Sequence, residues 1–125
     1  MVGVIPYIHI SVKQGVIRAV YSGDADFGVT TEMLRKVARI SSESQSKLLL
    51  LDIREVEDRQ YHVDAIRHAE QAPELGIDQT FRIALLRSRN DPMLQYIETV
   101  AINRGFRAKA FTDESEALAW LKNGL

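Results

Sequence analysis

The chain has no cysteine among its 125 residues. This excludes disulfide bonds, thiolate metal sites and cysteine nucleophiles, and it is typical of a reducing compartment, so we expect a cytoplasmic protein. The net charge is only −1, so no overall field attracts nucleic acid, and we expect no nucleic-acid partner. The first ten residues lack the basic segment of a secretory signal, and no apolar run approaches the roughly 18 residues of a membrane span.

Several catalytic and binding motifs are also missing. The glycines are scattered, and they form neither a phosphate-binding loop nor a dinucleotide fingerprint. No serine lies in a nucleophile elbow. The three histidines, His9, His62 and His68, do not have the spacing of metal ligands on one helix face. The sequence therefore predicts no cofactor and no bound metal.

The most informative segment that is present is the run Lys47-Leu48-Leu49-Leu50-Leu51-Asp52-Ile53. Four consecutive leucines leave no polar face for water. A short apolar run closed by charged residues is typical of a strand buried on both faces, in the middle of a parallel sheet. With 46% hydrophobic residues, the chain can fill one core, and we predict a single domain over residues 1–125.

Before this strand, the pattern predicts a hairpin and a helix. Residues 5–12 and 16–22 alternate as two strands, joined at Gln14-Gly15. A loop over 22–28 then leads to a helix that Thr30 or Thr31 would cap, and the polar segment 41–46 would end this helix in a turn.

After the strand, helices and strands alternate. A helix is predicted over 62–72; Pro73 either disrupts it or starts a separate turn, and Gly76 ends it. The next elements are a strand over 81–86, a helix capped by Asp91 with Pro92 first, a strand over 108–111 and a helix opened by Asp113. The order β-β-α-β-α-β-α-β-α predicts an α/β fold, with a mostly parallel sheet of about five strands, an antiparallel N-terminal hairpin and helices packed on the sheet.

The most charged stretch of the chain, residues 54–61, follows the leucine strand directly. In open α/β sheets, ligands and partners are met beyond the carboxyl ends of the strands. We therefore expect a loop here that binds a protein partner. The candidate residues are Asp52, Arg54, Glu55, Glu57, Asp58 and Tyr61.

Asp52 invites a second interpretation, as the phosphoacceptor of a response-regulator receiver. The N-terminal hairpin disfavours it, because a receiver begins with a strand and a helix and needs an acidic pair after its first strand to hold Mg²⁺. We expect Asp52 to bind backbone amides of its loop instead.

Arg87 and Arg89 stand before the helix that begins at Pro92, and they form a candidate anion site. Two arginines beside a helix N-terminus can hold a phosphate or carboxylate. The alternative is that they are solvated or paired with acids such as Asp91. An enzyme that acts on an anionic substrate would use this site, and it is the weakest of three functional hypotheses.

The segment Phe111-Thr-Asp-Glu-Ser-Glu-Ala-Leu-Ala-Trp-Leu121, taken with the hairpin and the leucine strand, resembles the SpoIIAA-like branch of the STAS superfamily. These are small bacterial domains that are also compared to the lipid-binding SEC14 fold. The resemblance covers nearly the whole chain and implies a STAS-like α/β domain.

The resemblance implies a non-enzymatic regulatory or protein-interaction module. The best-known members, the anti-anti-sigma factors, carry a phosphorylatable Ser or Thr just after the central strand. Here residues 47–79 contain neither, and Tyr61 is the only hydroxyl, so we predict a module without the usual phosphoswitch. The alternative is a small-molecule or lipid carrier of the SEC14 type, which requires an apolar cavity between the sheet and a helix. An exposed hairpin edge and the apolar start, residues 1–5, also predict a homodimer.

Overall fold

Strands and helices alternate along the chain after an N-terminal hairpin. The computed structural model describes residues 5–24, 26–57 and 61–123. Its strands are β1 (Tyr7–Lys13), β2 (Val16–Asp24), β3 (Leu48–Glu57), β4 (Arg82–Leu86) and β5 (Arg107–Phe111). Its helices are α1 (Phe27–Ser44), α2 (Tyr61–Leu75), α3 (Pro92–Asn103) and α4 (Glu114–Asn123). None of these helices, within the ranges described, is long and apolar enough to cross a membrane.

The five strands form one sheet in the order β1-β2-β3-β4-β5. β1 pairs with β2 antiparallel, and the other three pairs are parallel. The hairpin turns at Gln14 and Gly15, which both have positive φ, at 52° and 78°. Two such residues match the right-handed twist of the flanking strands. The predicted α/β fold with an antiparallel N-terminal hairpin is confirmed.

The uniform direction of the strand order decides where the helices lie. Parallel crossovers are almost always right-handed, so successive steps in one direction place their helices on one face of the sheet. Accordingly α1, α2 and α3 contribute to the larger core cluster, together with Leu49 and Leu51 of β3. α4 packs on the opposite face, where Ala117 and Leu121 join Leu50 in the smaller cluster. The leucine run is thus buried on both faces, as predicted.

The first helix begins earlier than the sequence pattern predicts. Asp26 is its N-cap, and its carboxylate accepts a hydrogen bond from the amide of Val29 at 2.9 Å. The prediction of a cap at Thr30 or Thr31 is therefore wrong. Thr30 is buried instead, and its hydroxyl lies 3.3 Å from that of Tyr21. The helix also continues through Ser44, so most of the expected polar turn is its last turn.

The second helix continues past Pro73, which was expected to disrupt it or to start a separate turn. Pro73 lies in the last turn, since the helix ends at Leu75. A proline in the last turn removes one backbone hydrogen bond of the helix. Because only Glu74 and Leu75 follow it in the helix, little helical structure depends on that bond. Gly76 then takes a φ of 109° and ends the helix as predicted, because this backbone region is open to glycine.

The caps of the last two helices agree with the prediction. Asp91 accepts a hydrogen bond from the amide of Leu94 at 3.0 Å, and Pro92 is the first helical residue. Asp113 accepts from the amide of Glu116 at 3.0 Å. These side chains satisfy amides that the helix itself leaves unbonded.

Candidate interaction site beyond the leucine strand

The leucine strand extends further than its apolar run. β3 continues through Arg54 to Glu57, so the first half of the predicted charged loop is a strand. The ladder with β4 ends at the pair Asp52–Leu86, whereas the ladder with β2 runs on to Asp24–Glu57. Residues 53–57 therefore form a strand extension that only β2 pairs with among the described strands.

An irregularity in the ladder with β2 changes which residues of this extension are exposed. Asp52 is opposite Val20, but Glu55 is opposite Ser22, so β3 has an extra residue here. A bulge of this kind breaks the alternation of the strand. Arg54 and Glu55 are consequently both exposed, whereas Ile53 and Val56 on either side are buried. Two consecutive charged residues thus face solvent on a strand that is anchored at both flanks.

Arg87 takes the place of the missing β4 strand along this extension. Its Nη1 donates to the carbonyl oxygen of Ile53 at 2.7 Å and to that of Val56 at 3.2 Å. Its Nε donates to Asp91, the N-cap of α3, at 2.8 Å. Arg87 is buried, at 8% exposure, and its guanidinium satisfies carbonyls that a neighbouring strand would otherwise bind.

Asp52 lies at the centre of a second charged cluster. Its carboxylate accepts hydrogen bonds from the guanidinium of Arg54, the shorter at 2.7 Å, and from Arg18 of β2 at 3.2 Å. Both arginines also reach Glu114 at the start of α4, at 2.8 Å from Arg18 and 3.3 Å from Arg54. Asp52 further accepts from the backbone amide of Arg54 at 3.2 Å, which agrees with its expected bond to a backbone amide. Two acids and two bases thus tie β2, β3 and α4 together.

The pairing in this cluster keeps all four groups charged. Burial acts to raise the pKa of Asp52, but hydrogen bonds from Arg54 and the charges of both arginines outweigh it and lower that pKa. The hydrogen bond from Arg18 lowers the pKa of Glu114, and the one to Glu114 raises the pKa of Arg18. The bond to Asp52 likewise raises the pKa of Arg54. None of these four groups is shifted toward neutral pH, where an acid or base catalyst would be useful.

The sequence predicted only part of this arrangement. Asp52 and Arg54 lie together, and Glu55 is adjacent to them. The side chains of Glu57 and Tyr61, and all of Asp58, lie outside the described residues. The partner-binding role of the six candidates stays a prediction.

Two members of the cluster, Arg18 and Glu114, were not expected from the sequence. A signal for Arg18 does exist, because it is the only charged residue in the apolar run from Val16 to Tyr21. Glu114 follows the cap Asp113 and has the ordinary appearance of an acid in the first turn of a helix.

The two arginines of the predicted anion site have different surroundings. The guanidinium of Arg87 is engaged by Asp91 and by two backbone carbonyls. Arg89 has a side chain that is 81% exposed and lies 3.7 Å from Asp91. An anion-binding role stays a prediction for the pair, and only Arg89 presents its charge to solvent. Within the described ranges, no group of three or more acidic or histidine side chains could hold a metal ion.

The described strands have no topological switch point of the kind at which doubly wound proteins bind ligands. Such a point arises where the strand order reverses and neighbouring crossovers leave to opposite faces. The order β1-β2-β3-β4-β5 has no reversal. A shallow groove does lie beyond the carboxyl ends of β4 and β5, where Asn90, Phe111 and Thr112 line it.

Comparison with solved structures shows which known fold this chain shares. A structure of the anti-sigma factor antagonist SpoIIAA in its unphosphorylated form superposes with a TM-score of 0.59, over 95% of this chain and 98% of that chain. This protein has the fold of SpoIIAA. The SpoIIAA-like resemblance seen in the sequence is confirmed at the level of the fold, with 11% sequence identity. No family model and no curated protein matches the sequence.

Proposed function

We propose that this chain is a non-enzymatic regulatory module that binds a protein partner through the strand-end surface, which we define as residues 54–61. The observation that carries the proposal is that Glu55 is exposed on a strand extension braced by Arg87. Its neighbour Arg54 is held in place by Asp52 and Glu114. A rigid strand loses little conformational freedom when a partner binds, so charged groups held on it can select that partner.

The likeness to SpoIIAA supports a regulatory role, since that protein is an anti-sigma factor antagonist. The absence of Ser and Thr from residues 47–79 leads us to propose that this module works without the phosphoserine switch of the best-known members of the STAS superfamily. Tyr61 is the only hydroxyl that a kinase would find in the segment.

The charged cluster supports a binding role over catalysis. Asp52 and Glu114 are held ionised by Arg18 and Arg54, so neither is poised to transfer protons near neutral pH. Charged groups fixed in this way suit recognition of a folded partner.

Site-specific photocrosslinking in cells tests the proposal. A photoreactive amino acid at Glu55 is expected to capture one defined protein, and the same amino acid at Gln79, an exposed residue in the turn before β4, is expected not to. The captured protein is then purified and its affinity is measured directly. Equal capture from the two positions would contradict the proposed surface.

A pair of charge-reversal variants provides the matched control. Changing Glu55 and Asp58 to Lys is expected to weaken binding of that partner at least tenfold, because like charges across an interface repel. Changing Glu43 and Glu74 to Lys alters the net charge equally, but these residues lie in the last turns of α1 and α2, near the amino ends of the parallel strands. If both variants bind equally well, residues 54–61 are not the interface.

We also propose that the chain forms a homodimer through β1. β1 is an edge strand of the sheet, and such a strand offers unpaired backbone groups to a second copy. Tyr7 and Val12 are exposed on it, and Ile5, two residues before it, is 82% exposed. Sedimentation is expected to show a species of about twice 14.1 kDa, and Val12→Lys is expected to reduce it to the monomer. Ile102→Lys, at an exposed apolar residue on α3, is the control and leaves the dimer intact.

A further inference from the structure

A groove lies between the N-terminal hairpin and α4, on the face of the sheet that α4 covers in part. Its volume is about 190 Å³. Ser11 and Lys13 of β1 line one side of the groove, and Leu118 and Lys122 of α4 line the other. The helix packs mainly on β3, β4 and β5, so it leaves the hairpin side of this face open.

The base of the groove is apolar. Val16 lies at the start of β2 and belongs to the smaller core cluster, against which Leu118 packs. Leu118 is only partly buried, so it presents apolar surface to the groove. The methylene groups of Lys13 and Lys122 can extend this surface, since a lysine lays its stem along apolar atoms and keeps its charge in water. A short hydrocarbon chain can therefore be removed from water here.

The rim of the groove carries positive charge that no described acid neutralises. Lys13 is exposed and makes no ion pair with a described residue. The ammonium of Lys122 donates a hydrogen bond to Oε1 of Gln14 at 3.2 Å. This bond joins α4 to the hairpin turn and holds the ammonium at the groove. Two N–H groups of Lys122 stay available for another acceptor.

Glu114, the one acid among the described lining residues, is neutralised by its own partners. Its carboxylate accepts hydrogen bonds from Arg18 at 2.9 and 2.8 Å and from Arg54 at 3.3 Å. Asp52 is the second acid of that cluster, so its two acids and two bases cancel in charge. Lys13 and Lys122 therefore give the groove a net positive charge.

We propose that this groove binds a small organic anion with a short hydrocarbon chain, of the class of short-chain carboxylates. The anionic group lies between Lys13 and Lys122, and the chain lies against Val16 and Leu118. The hydroxyl of Ser11 has no partner among the described residues and is a further donor to the anion.

The volume of the groove sets the size of this ligand. An apolar cavity of about 150 Å³ admits benzene, and the groove is larger than that. Drug-sized ligands occupy pockets of about 300–1,000 Å³, so a membrane lipid is too large. The site lies at the hairpin turn, and it does not depend on the partner surface proposed above.

Hexanoate, hexanol and hexylammonium test the proposal, because they share a hydrocarbon chain and differ in charge. Methyl-labelled leucine and valine report binding by NMR at low salt. Leu118 lines the groove, whereas Val37 is fully buried in α1 on the other face of the sheet and serves as the internal reference. Hexanoate is expected to shift the Leu118 signals and leave Val37 in place.

The charge of the probe is expected to decide its affinity. Hexanoate is expected to bind about three- to tenfold more tightly than hexanol, which is the usual value of one or two exposed ion pairs. Hexylammonium is expected to bind more weakly than hexanol, because its charge has the sign of the rim. High salt is expected to reduce the difference between hexanoate and hexanol, since it screens exposed charges.

Variants separate the charge from the groove. Lys13→Gln with Lys122→Gln is expected to remove the preference for hexanoate over hexanol. Lys36→Gln with Lys109→Gln removes an equal charge from exposed residues of α1 and β5 and is expected to retain the preference. Ser11→Phe fills the groove and is expected to abolish binding of both probes.

Three results would overturn the proposal. They are Leu118 signals that hexanoate does not shift at millimolar concentration, equal affinity of the unaltered protein for hexanoate and hexanol, and a preference for hexanoate that survives Lys13→Gln with Lys122→Gln. The first two need only the unaltered protein, so the test stands even if a variant fails to fold.

Discussion

Arg87 donates a hydrogen bond of 2.7 Å to the carbonyl oxygen of Ile53, and this bond holds the β3 extension where β4 has already ended. The same guanidinium is fixed by Asp91, the cap of α3. One side chain thereby couples the start of a helix to the strand that presents Arg54 and Glu55. The residue is as much a part of the candidate site as the exposed Glu55, although it is itself buried.

Replacing Arg87 with Met is expected to destabilise the protein by about 2–4 kcal/mol, because it leaves two carbonyls and the carboxylate of Asp91 without their buried partner. Urea unfolding measures the loss, and hydrogen exchange is expected to accelerate at residues 53–57 first. Arg89→Met removes an equal charge from an exposed side chain and is expected to cost less than about 0.5 kcal/mol. Equal effects of the two changes would refute the bracing role of Arg87.

Asp52→Asn is expected to lower the free energy of unfolding by about 1–3 kcal/mol at pH 7, since the charged hydrogen bonds from Arg18 and Arg54 weaken. The pKa of Asp52 is lowered from its ordinary 3.8 in the folded state. Its contribution is therefore present above pH 3.8 and is lost as pH falls through the lower folded pKa. The difference between variant and unaltered protein should shrink in that range.

The matched control for Asp52 is Glu32→Gln, which breaks an exposed pair with Arg35. Exposed pairs contribute little, so the expected change is below about 0.5 kcal/mol. A loss at Glu32 as large as that at Asp52 would mean that burial of the cluster has no special effect.

Gly23→Ala is expected to destabilise the protein far more than Gly15→Ala. Both glycines have positive φ, at 89° and 78°, and this alone costs about 1–2 kcal/mol for a residue with a side chain. A Cβ at Gly23 would also collide with the backbone carbonyl of Ile5, whereas a Cβ at Gly15 meets nothing within 4 Å. Thermal unfolding of the two variants separates backbone strain from collision, and a smaller loss at Gly23 than at Gly15 would contradict the close approach of Ile5.

His68 is expected to make the protein less stable as pH falls below about 6.5, its ordinary pKa. Burial, with a smaller repulsion from Arg67, lowers the folded pKa against the opposing charge of Asp64. The unfolded chain then binds the proton first, so stability falls with pH until the folded pKa is passed, at no more than about 1.4 kcal/mol per pH unit. Unfolding in urea at several pH values measures the slope.

The variant His68→Leu is expected to remove this slope, and His9→Gln is expected to retain it. A slope that persists in His68→Leu would assign the effect to another group.

The sequence predicted the fold well because the decisive signals are local. Four leucines specify a central strand, Asp91-Pro92 specifies a helix start, and Gln14-Gly15 specifies a hairpin. Where prediction failed, two local signals competed. Asp26 and Thr30 are both residue types that can cap a helix. Asp26 is the cap in the structure, whereas Thr30 lies inside the helix and is buried beside Tyr21.

The candidate site was harder to predict, because long-range contacts determine it. Arg54 and Glu55 have the composition of a loop, but pairing with β2 and the bonds from Arg87 keep them in a strand. Arg18 and Glu114 are 96 residues apart in sequence, and no periodicity connects them. Arg87 was considered for its charge, whereas its role here depends on two carbonyls that a sequence does not display.

The uniform strand order also dictates how the domain can be assembled. Each strand pairs with the one just before it in the chain, so every ladder can close over a single intervening hairpin or crossover, at small entropic cost. The exception is α4, which follows all five strands and yet binds Arg18 in β2 and Gln14 in the hairpin turn. During synthesis the sheet can therefore grow strand by strand, with its α4 face uncovered until this helix arrives. Asp52 and its two arginines gain Glu114 as a partner only at that step, so the hydrogen bonds between β2 and α4 can form only after the α4 segment has been synthesised.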